Sequence, residues 1–554
     1  MIAMPLQSKA RETGNTVFLD DDFAPHPDQW AFLSQFPSLD RARLDGLLEK
    51  ELPESGSEVD FRFEDRVLDV IPAAIRKGDF TGTIRAIRRA QITIPTTKLP
   101  GSLVAALKRL ATLANPEFFE KQRLRFGTWN IPRFLFCGEI HDDRLVLPRG
   151  CVEAALELVR KAGGRMEIED LRPITRPVDL DFRGQLTAEQ QTAVDAMLEQ
   201  DDGVLVAPPG AGKTVMGCAI IAARKEPTLV LVHRKSLMDQ WHSRIAGFLG
   251  LSRKEIGTLT AHGFSGDPAV VVGMIQTLAK SAHPGALLRP FSHIVIDECH
   301  HVPAASFEAV MKAFEARHVL GLTATPTRKD GLQRLLFHQC GPVRYRLDTP
   351  AEPGFDRVLV LRDIPLGLPP EELRMPVHEV WHLLANHEER NRMIISDLSA
   401  ALGEHRCCAV LSDRKEHLAL LERELLSLDP GSSDRICRIE GSFGKKARAA
   451  VLAQVEGLAA ERRGFALFAT SSLIGEGFDL PALDTLFLTL PASFKGRIIQ
   501  YAGRLHRARA GKMETRIYDY AEPDYPLTAS MRRKRMTAYR ELGYREPGEE
   551  RRLI

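Results

Sequence analysis

Two kinds of hydrophobic pattern recur along the chain. One is a short, wholly apolar run closed by glycine or proline, the mark of a strand buried on both faces. The other is a longer run with apolar residues every three or four positions, the mark of an amphipathic helix. Val204, Leu205 and Val206 form a run of the first kind, broken by Pro208, Pro209 and Gly210. "VMGCAIIAARK" then places Val215, Ala219 and Ile220 at helical spacing. "TLVLVHRKSLMDQW" reads as strand, loop and helix, "VVVGMIQTL" as a strand leading into a polar turn, and Ile294, Val295 and Ile296 as another buried strand. After a proline-marked stretch (Pro365, Pro369, Pro370, Pro376) the pattern resumes. "HEERNRMIISDLSAAL" puts Ile394, Ile395, Leu398 and Leu402 on one helical side, and "CCAVLSD" and "RGFALFATSS" read as strands. Strand and helix in alternation predict an α/β fold with parallel sheets.

Ahead of these segments, residues 96–180 read as a small α/β module. Its parts are a helix "SLVAALKRLATLA", strand-like "RFLFCGE" and "RLVLP", and a helix "CVEAALELVRKAG". Residues 1–95 mix acidic clusters (Asp20 to Asp22) with basic ones (Arg85, Arg88, Arg89) and predict partial order without evident chemistry. The expected organisation is therefore 1–95, an accessory domain at 96–180, a first large α/β domain at 181–350, a connector at 351–385 and a second at 386–554.

Composition narrows the class. The chain has 554 residues, 44% hydrophobic and 27% charged, as expected of a globular protein of several domains. Lys and Arg number 75 against 73 Asp and Glu, so any nucleic-acid surface must be local. No segment approaches membrane-spanning length, and the N-terminus lacks an apolar signal core. Eight scattered cysteines without a CxxC pair fit a reducing cytoplasm and argue against a cysteine-rich zinc site.

The chemistry begins at "APPGAGKT". The strict phosphate-loop pattern has Gly where this chain has Ala207, but Pro209, Gly210, Ala211, Gly212, Lys213 and Thr214 fill the rest. A Gly-rich turn between a strand and a helix lets backbone N–H groups and the helix N-terminus face phosphates, while Lys213 meets the β/γ-phosphates. An ATPase also needs a carboxylate for Mg²⁺ and a group to orient water. Asp297 and Glu298, at the end of the Ile294–Ile296 run, supply both, with Thr214 as a further Mg²⁺ partner. Cys299, His300 and His301 lack the second cluster that a metal site would need.

The ordered set Gln190, "APPGAGKT", "LVLVHRKSLMDQW", "VVVGMIQTL", "DECHH", "GLTATPTRKDG", "ATSSLIGEGFDLP" and "QYAGRLHR" resembles the superfamily-2 helicases and translocases, spanning Leu186 to about Arg509. "DECHH" with "TATPTRKDG" is most similar to the branch containing XPB. "NPEFFEKQRLRFGTWNIPRFLFC", "LPRGC", "YAGRLHRARAGKMETRIYDY" and "MRRKRMTAYRELGY" resemble the helicase portion of bacterial TOTE conflict-system proteins. In these a primase-like domain usually precedes the helicase, and "VFLDDDFAPHPDQWAFL" looks like the tail end of such a region.

This resemblance implies two tandem RecA-like domains behind an accessory, DNA-engaging domain. It implies that Gln190 reads adenine, that Thr323 to Thr325 couple the ATP site to movement, and that His300 links it to the nucleic-acid side. Arg504 and Arg507, expected one turn apart on a helix, would reach the γ-phosphate from the second domain. Gly477 would let backbone approach the nucleotide and Asp479 accept from the ribose. Arg234, Gln276, Thr277 and Thr470 would touch nucleic-acid backbone. At Arg328, Lys329 and Asp330 the XPB-type loop reads Arg-Glu-Asp, so Lys329 reverses a charge and is expected to attract phosphate near a fork. Asp330 is alternatively the N-cap of a helix over "GLQRLLFH". The implied activity is ATP- and Mg²⁺-dependent movement along DNA, 3′ to 5′, at single-strand/duplex junctions. RNA is the alternative track, and the implied setting is DNA repair or phage conflict, with defence, primase or nuclease partners.

Overall fold

The computed structural model describes residues 75–547, apart from 125, 282–283, 300–303, 326–331, 348–355, 370–372, 374, 441–442, 471–479, 492–494 and 507–511. Three sheets organise them.

The first is a five-stranded mixed sheet. In spatial order its strands are Glu139–Ile140, Arg144–Pro148, Gln91–Pro95, Thr83–Arg88 and Arg165–Asp170. Alternation is clear in "TIRAIR" and "QITIP", which turn Ile84, Ala86, Ile92 and Ile94 inward. Helices Gly101–Leu110 and Val152–Ala162 cover that face with Leu103, Ala106 and Leu107, and with Ala155 and Val159. The expected boundary at residue 95 cuts through this sheet, because the adjacent strands Thr83–Arg88 and Gln91–Pro95 both precede it. The accessory fold therefore begins well before residue 96.

The second sheet is parallel throughout and seven-stranded, in the order Ile256–Thr258, Val270–Met274, Thr228–Val232, His293–Asp297, His318–Thr323, Asp202–Val206 and Val343–Arg346. Strands Asp202–Val206, Thr228–Val232 and His293–Asp297 are buried at every residue. That is why they read as unbroken apolar runs: a parallel strand inside an α/β fold has helices on both faces.

The third sheet is also parallel, with six strands in the order Asp356–Asp363, Glu514–Ala521, Thr485–Leu488, Cys407–Ser412, Phe465–Thr470 and Ile436–Ile439. Its edge strand Asp356–Asp363 lies inside the stretch expected to be a connector. The helix Glu388–Gly403 buries Ile394, Ile395, Leu398 and Leu402 as its spacing predicts. Two α/β motor domains with parallel sheets thus follow a small α/β domain, as the alternating pattern implies. Among the described residues no helix is long and apolar enough to cross a membrane. All eight cysteines are buried.

The accessory domain is fastened to the first motor sheet at the start of the strand that leads into "APPGAGKT". Asp202, the first residue of that strand, is 5% exposed and accepts from Arg88 at 2.6 Å and from Arg149 at 3.3 Å. Arg149, itself buried, also donates to the carbonyls of Phe314 and Ala316. Asp201 accepts from Arg88 at 3.2 Å and from Arg172 at 2.7 Å. Buried guanidinium groups require this density of partners, since an unpaired buried charge costs several kcal/mol. Here five-donor forks meet two aspartates and backbone oxygens.

Candidate active site

The strand Asp202–Val206 ends at Ala207, where the strict phosphate-loop pattern has Gly. Ala207 is fully buried, in the same core cluster as Leu205, Met216 and Leu322. Its N–H donates to the Thr323 carbonyl at 2.9 Å and its own carbonyl accepts from Lys213 Nζ at 3.1 Å. Gly210 and Gly212 take φ of +88° and +84°, the left-handed region that favours glycine. A Cβ on Gly212 would stand 2.6 Å from Gln190 Nε2. The helix Lys213–Arg224 starts immediately afterwards, so its first N–H groups, which lack carbonyl partners within the helix, face the loop.

Gln190 closes one side of this loop. Its Nε2 donates to the Ala211 carbonyl at 2.9 Å, and its Oε1 accepts from Thr187 N–H at 3.0 Å in a capping box. Both ends of the amide are engaged within the protein here, holding the loop to the helix Ala188–Leu198.

Parallel packing aligns the strand ends. Strand His318–Thr323 lies between the loop strand and His293–Asp297, so Ala207, Thr323 and Asp297 share the carboxyl edge of the sheet, where α/β folds bind ligands. Asp297 accepts from Trp241 Nε1 at 2.8 Å and from Glu298 N–H at 2.9 Å. Burial, and next the Glu298 carboxylate, push the Asp297 pKa up to about 6. Lys213 Nζ stands 3.7 Å from Glu298 Oε1. Glu298 has φ +47°, a left-handed conformation that costs about 1–3 kcal/mol for a non-glycine residue and is retained chiefly at functional sites. Thr323 Oγ1 donates to the Thr325 carbonyl at 2.6 Å and accepts from Thr325 N–H at 3.1 Å, fixing the turn beside this edge. Two adjacent carboxylates at a desolvated strand end, one with a raised pKa, suit a divalent cation.

The second motor domain reaches the same loop. Helix Lys495–Leu505 carries Gly503 so close that a Cβ there would lie 2.2 Å from Pro209 Cβ. Gly503 O would lie 3.6 Å from a Cβ on Gly210. Arg504, the next residue, stands half-buried in the last turn of that helix. Only a residue without a side chain allows this approach.

Several known families and proteins match this chain. Residues 183–328 match the family described as type III restriction enzyme, res subunit, and residues 391–509 match the helicase conserved C-terminal domain. Residues 1–47 match the archaeo-eukaryotic primase domain of the TOTE conflict system. A probable helicase of Escherichia phage T5 is 26% identical over 66% of this chain and 77% of its own length. A putative ATP-dependent RNA helicase of Acanthamoeba polyphaga mimivirus is 25% identical over 65% of this chain and 69% of its own. A putative DNA 3′-5′ helicase Rad25 of Haloarcula marismortui is 35% identical, over 30% of this chain and 26% of its own length. Together the matches support a superfamily-2 helicase of the XPB-like branch.

The structure thus brings together Gln190, the Pro209–Thr214 loop, Asp297 and Glu298, with Gly503, the neighbour of Arg504, against Pro209. The residues expected on the nucleic-acid side lie on other elements. Arg234 is exposed at the start of helix Lys235–Leu249, Gln276 Nε2 donates to the His233 carbonyl at 3.0 Å with Thr277 beside it, and Thr470 ends strand Phe465–Thr470. Arg328, Lys329, Asp330, Gly477, Asp479, Arg507, His300 and His301 lie outside the described residues. The helix after "TRKDG" starts at Gln333 with Leu332 as its N-cap residue. Leu332 packs on a small cluster of Leu113, Cys137 and Leu335. Cys299 is fully buried in the core, where desolvation raises its thiol pKa well above the ordinary range.

Two features escaped the sequence reading. Trp241, which orients Asp297, reads as an ordinary core residue of an amphipathic helix; its place in "LMDQW", after a motif strand, was the available hint. The Arg88, Arg149 and Arg172 clasp depends on pairs up to 167 residues apart, for which the sequence carries no local signal.

Proposed function

We propose that this helicase is an ATP-driven DNA motor that tracks 3′ to 5′ and opens single-strand/duplex junctions, working in DNA repair or in conflict with phages and mobile elements. The observation that supports the ATPase part is the approach of Gly503, the residue before Arg504, to Pro209 of the phosphate loop. In this reading the loop N–H groups and Lys213 hold the β/γ-phosphates, and Thr214 and Asp297 would hold Mg²⁺. Mg²⁺ supplies charge neutralisation of the transferred phosphoryl group. Glu298 orients and deprotonates the attacking water, while Arg504, joined by Arg507, stabilises the charge that develops. Gln190 reads adenine after exchanging its present internal bonds, and Gly477 and Asp479 line the ribose side. Arg234, Gln276, Thr277, Arg328, Lys329 and Thr470 contact nucleic-acid backbone, which carries affinity without sequence information. Cleft closing and opening then alternate the grip of the two motor domains.

DNA and 3′-to-5′ polarity are favoured by XPB-like relatives whose names carry both. The mimivirus relative, named for RNA, supports RNA as a second track. The primase-type match at residues 1–47 favours a conflict-system setting with primase or nuclease partners.

Steady-state ATPase against single-stranded DNA, duplex DNA and RNA, followed by unwinding of 3′- and 5′-tailed duplexes, tests this reading. DNA stimulation with unwinding from a 3′ tail is expected, and Glu298→Gln should bind ATP but not turn it over. Stimulation by RNA alone would replace the track. Turnover by Glu298→Gln near the wild-type rate would remove its role as base.

A further inference from the structure

The accessory domain displays an aromatic loop that the ATP site does not use. It runs from the helix Pro116–Arg123 to the strand Phe134–Phe136. Trp129 in it is 97% exposed, Phe126 65% and Leu124 52%, which is costly for large apolar side chains unless something covers them. The loop is held at both ends. Asn115 caps the helix by accepting from Glu117 N–H at 3.2 Å, and its Nδ2 donates to the Pro132 carbonyl at 2.7 Å. Phe126 N–H donates to the Lys121 carbonyl at 2.8 Å, and Arg133 lies over the rings of Phe119 and Phe134 at 5.6 and 5.5 Å.

Charge and position suggest the occupant. Between Asn115 and Phe136 the sequence carries Lys121, Arg123, Arg125 and Arg133 against Glu117 and Glu120, a local excess of positive charge in a nearly neutral chain. The strand pair at the root, Thr112–Ala114 with Phe134–Phe136, packs through Leu113 and Leu135 on Leu332 and Leu335. Those leucines open the helix Gln333–Cys340, which follows the Thr323–Thr325 turn at the carboxyl edge of the motor sheet. Exposed aromatic faces flanked by Arg and Lys, rooted on the helix that follows the Thr323–Thr325 turn, match the chemistry of a base-stacking platform for a single strand.

We propose that Phe126 and Trp129 stack on unpaired bases of the single strand on which the motor acts, with Arg123 and Arg133 facing its phosphates. This rests on the nucleic-acid motor reading above. The test uses the full chain with oligo-dT and oligo-U, which separate a DNA from an RNA strand. Binding should quench tryptophan fluorescence, and each of Trp129→Ala and Phe126→Ala should weaken affinity on the order of tenfold, the usual effect of losing one stacking ring. Trp129→Phe should keep the affinity and lose most of the quench, and basal ATPase without nucleic acid should be unchanged in all of these variants. Nucleic-acid stimulation of the wild-type ATPase tests the motor reading on its own, and its absence sinks that reading. Stimulation with wild-type affinity in the Phe126→Ala/Trp129→Ala variant overturns the stacking surface alone and assigns the patch to a protein partner.

Discussion

The two junctions of the first motor domain are built by opposite means. Toward the accessory domain, three arginines close on Asp201 and Asp202, and Arg149 is bonded on three sides. Toward the second motor domain, the described contact at the ATP loop is glycine on proline, Gly503 against Pro209. A charge cluster with many fixed partners has one good geometry, because any displacement strands a desolvated ion. Contact between small apolar groups loses little when it parts. The first junction is therefore suited to move as one piece with the phosphate-loop strand, and the second to open and close around a nucleotide.

Four variants break or sharpen this contrast. Arg504→Ala should lower kcat on the order of 10³-fold, the low end for an arginine that stabilises phosphoryl-transfer charge. Nucleotide affinity, read by titration with a fluorescent ATP analogue, should change little. Arg149→Ala should act on stability, removing about 3 kcal/mol from chemical unfolding of the clasped unit, the usual scale for breaking a buried pair from one side. Its ATPase per folded molecule should match wild type at low temperature, and a selective loss of turnover would show that the clasp also serves catalysis. Gly503→Val should do the reverse. A side chain cannot fit 2.2 Å from Pro209 Cβ, so the cleft cannot close fully, and turnover should fall by roughly 10²-fold, the scale of a 1 Å misplacement, with the unfolding midpoint unchanged.

The smallest effect is a pH dependence. The pKa of Asp297 is raised from 3.8 to about 6 in the fold, chiefly by burial and next by the Glu298 carboxylate, so the fold favours the protonated carboxyl. Its stabilising contribution is fully present below 3.8 and is lost as pH rises through about 6. In the proposed reaction Mg²⁺·ATP binding needs the carboxylate, so affinity should weaken about tenfold for each unit below pH 6 and level off above it. Asp297→Asn should flatten that profile.

What could be read from the chain before folding followed from locality. Val204 to Val206 and Ile294 to Ile296 stand out because a doubly covered strand has no polar side, and "APPGAGKT" because loop chemistry is contiguous. The accessory boundary was misplaced because Arg85 and Arg88 interrupt the short apolar alternation of strand Thr83–Arg88, within a stretch of scattered charges. The strand Asp356–Asp363 was hidden for a related reason: an edge strand followed by prolines looks like a linker until its neighbour Glu514–Ala521, far along the chain, pairs with it. The role of Gly503 was half visible. Glycine inside a helix costs about 1 kcal/mol against alanine, which asks for a reason, but Pro209 as that reason appears only in three dimensions.

The burial of every native cysteine has a practical consequence for following the cleft in motion. Desolvation pushes the thiols of Cys137, Cys151 and Cys218 up to about 12 and that of Cys437 to about 11, so almost no thiolate exists near neutral pH to react with a maleimide. New cysteines at the exposed positions Lys254 and Arg423, one on each motor domain, would then be labelled over a silent background. Energy transfer between two dyes could report each opening and closing in an otherwise unaltered molecule.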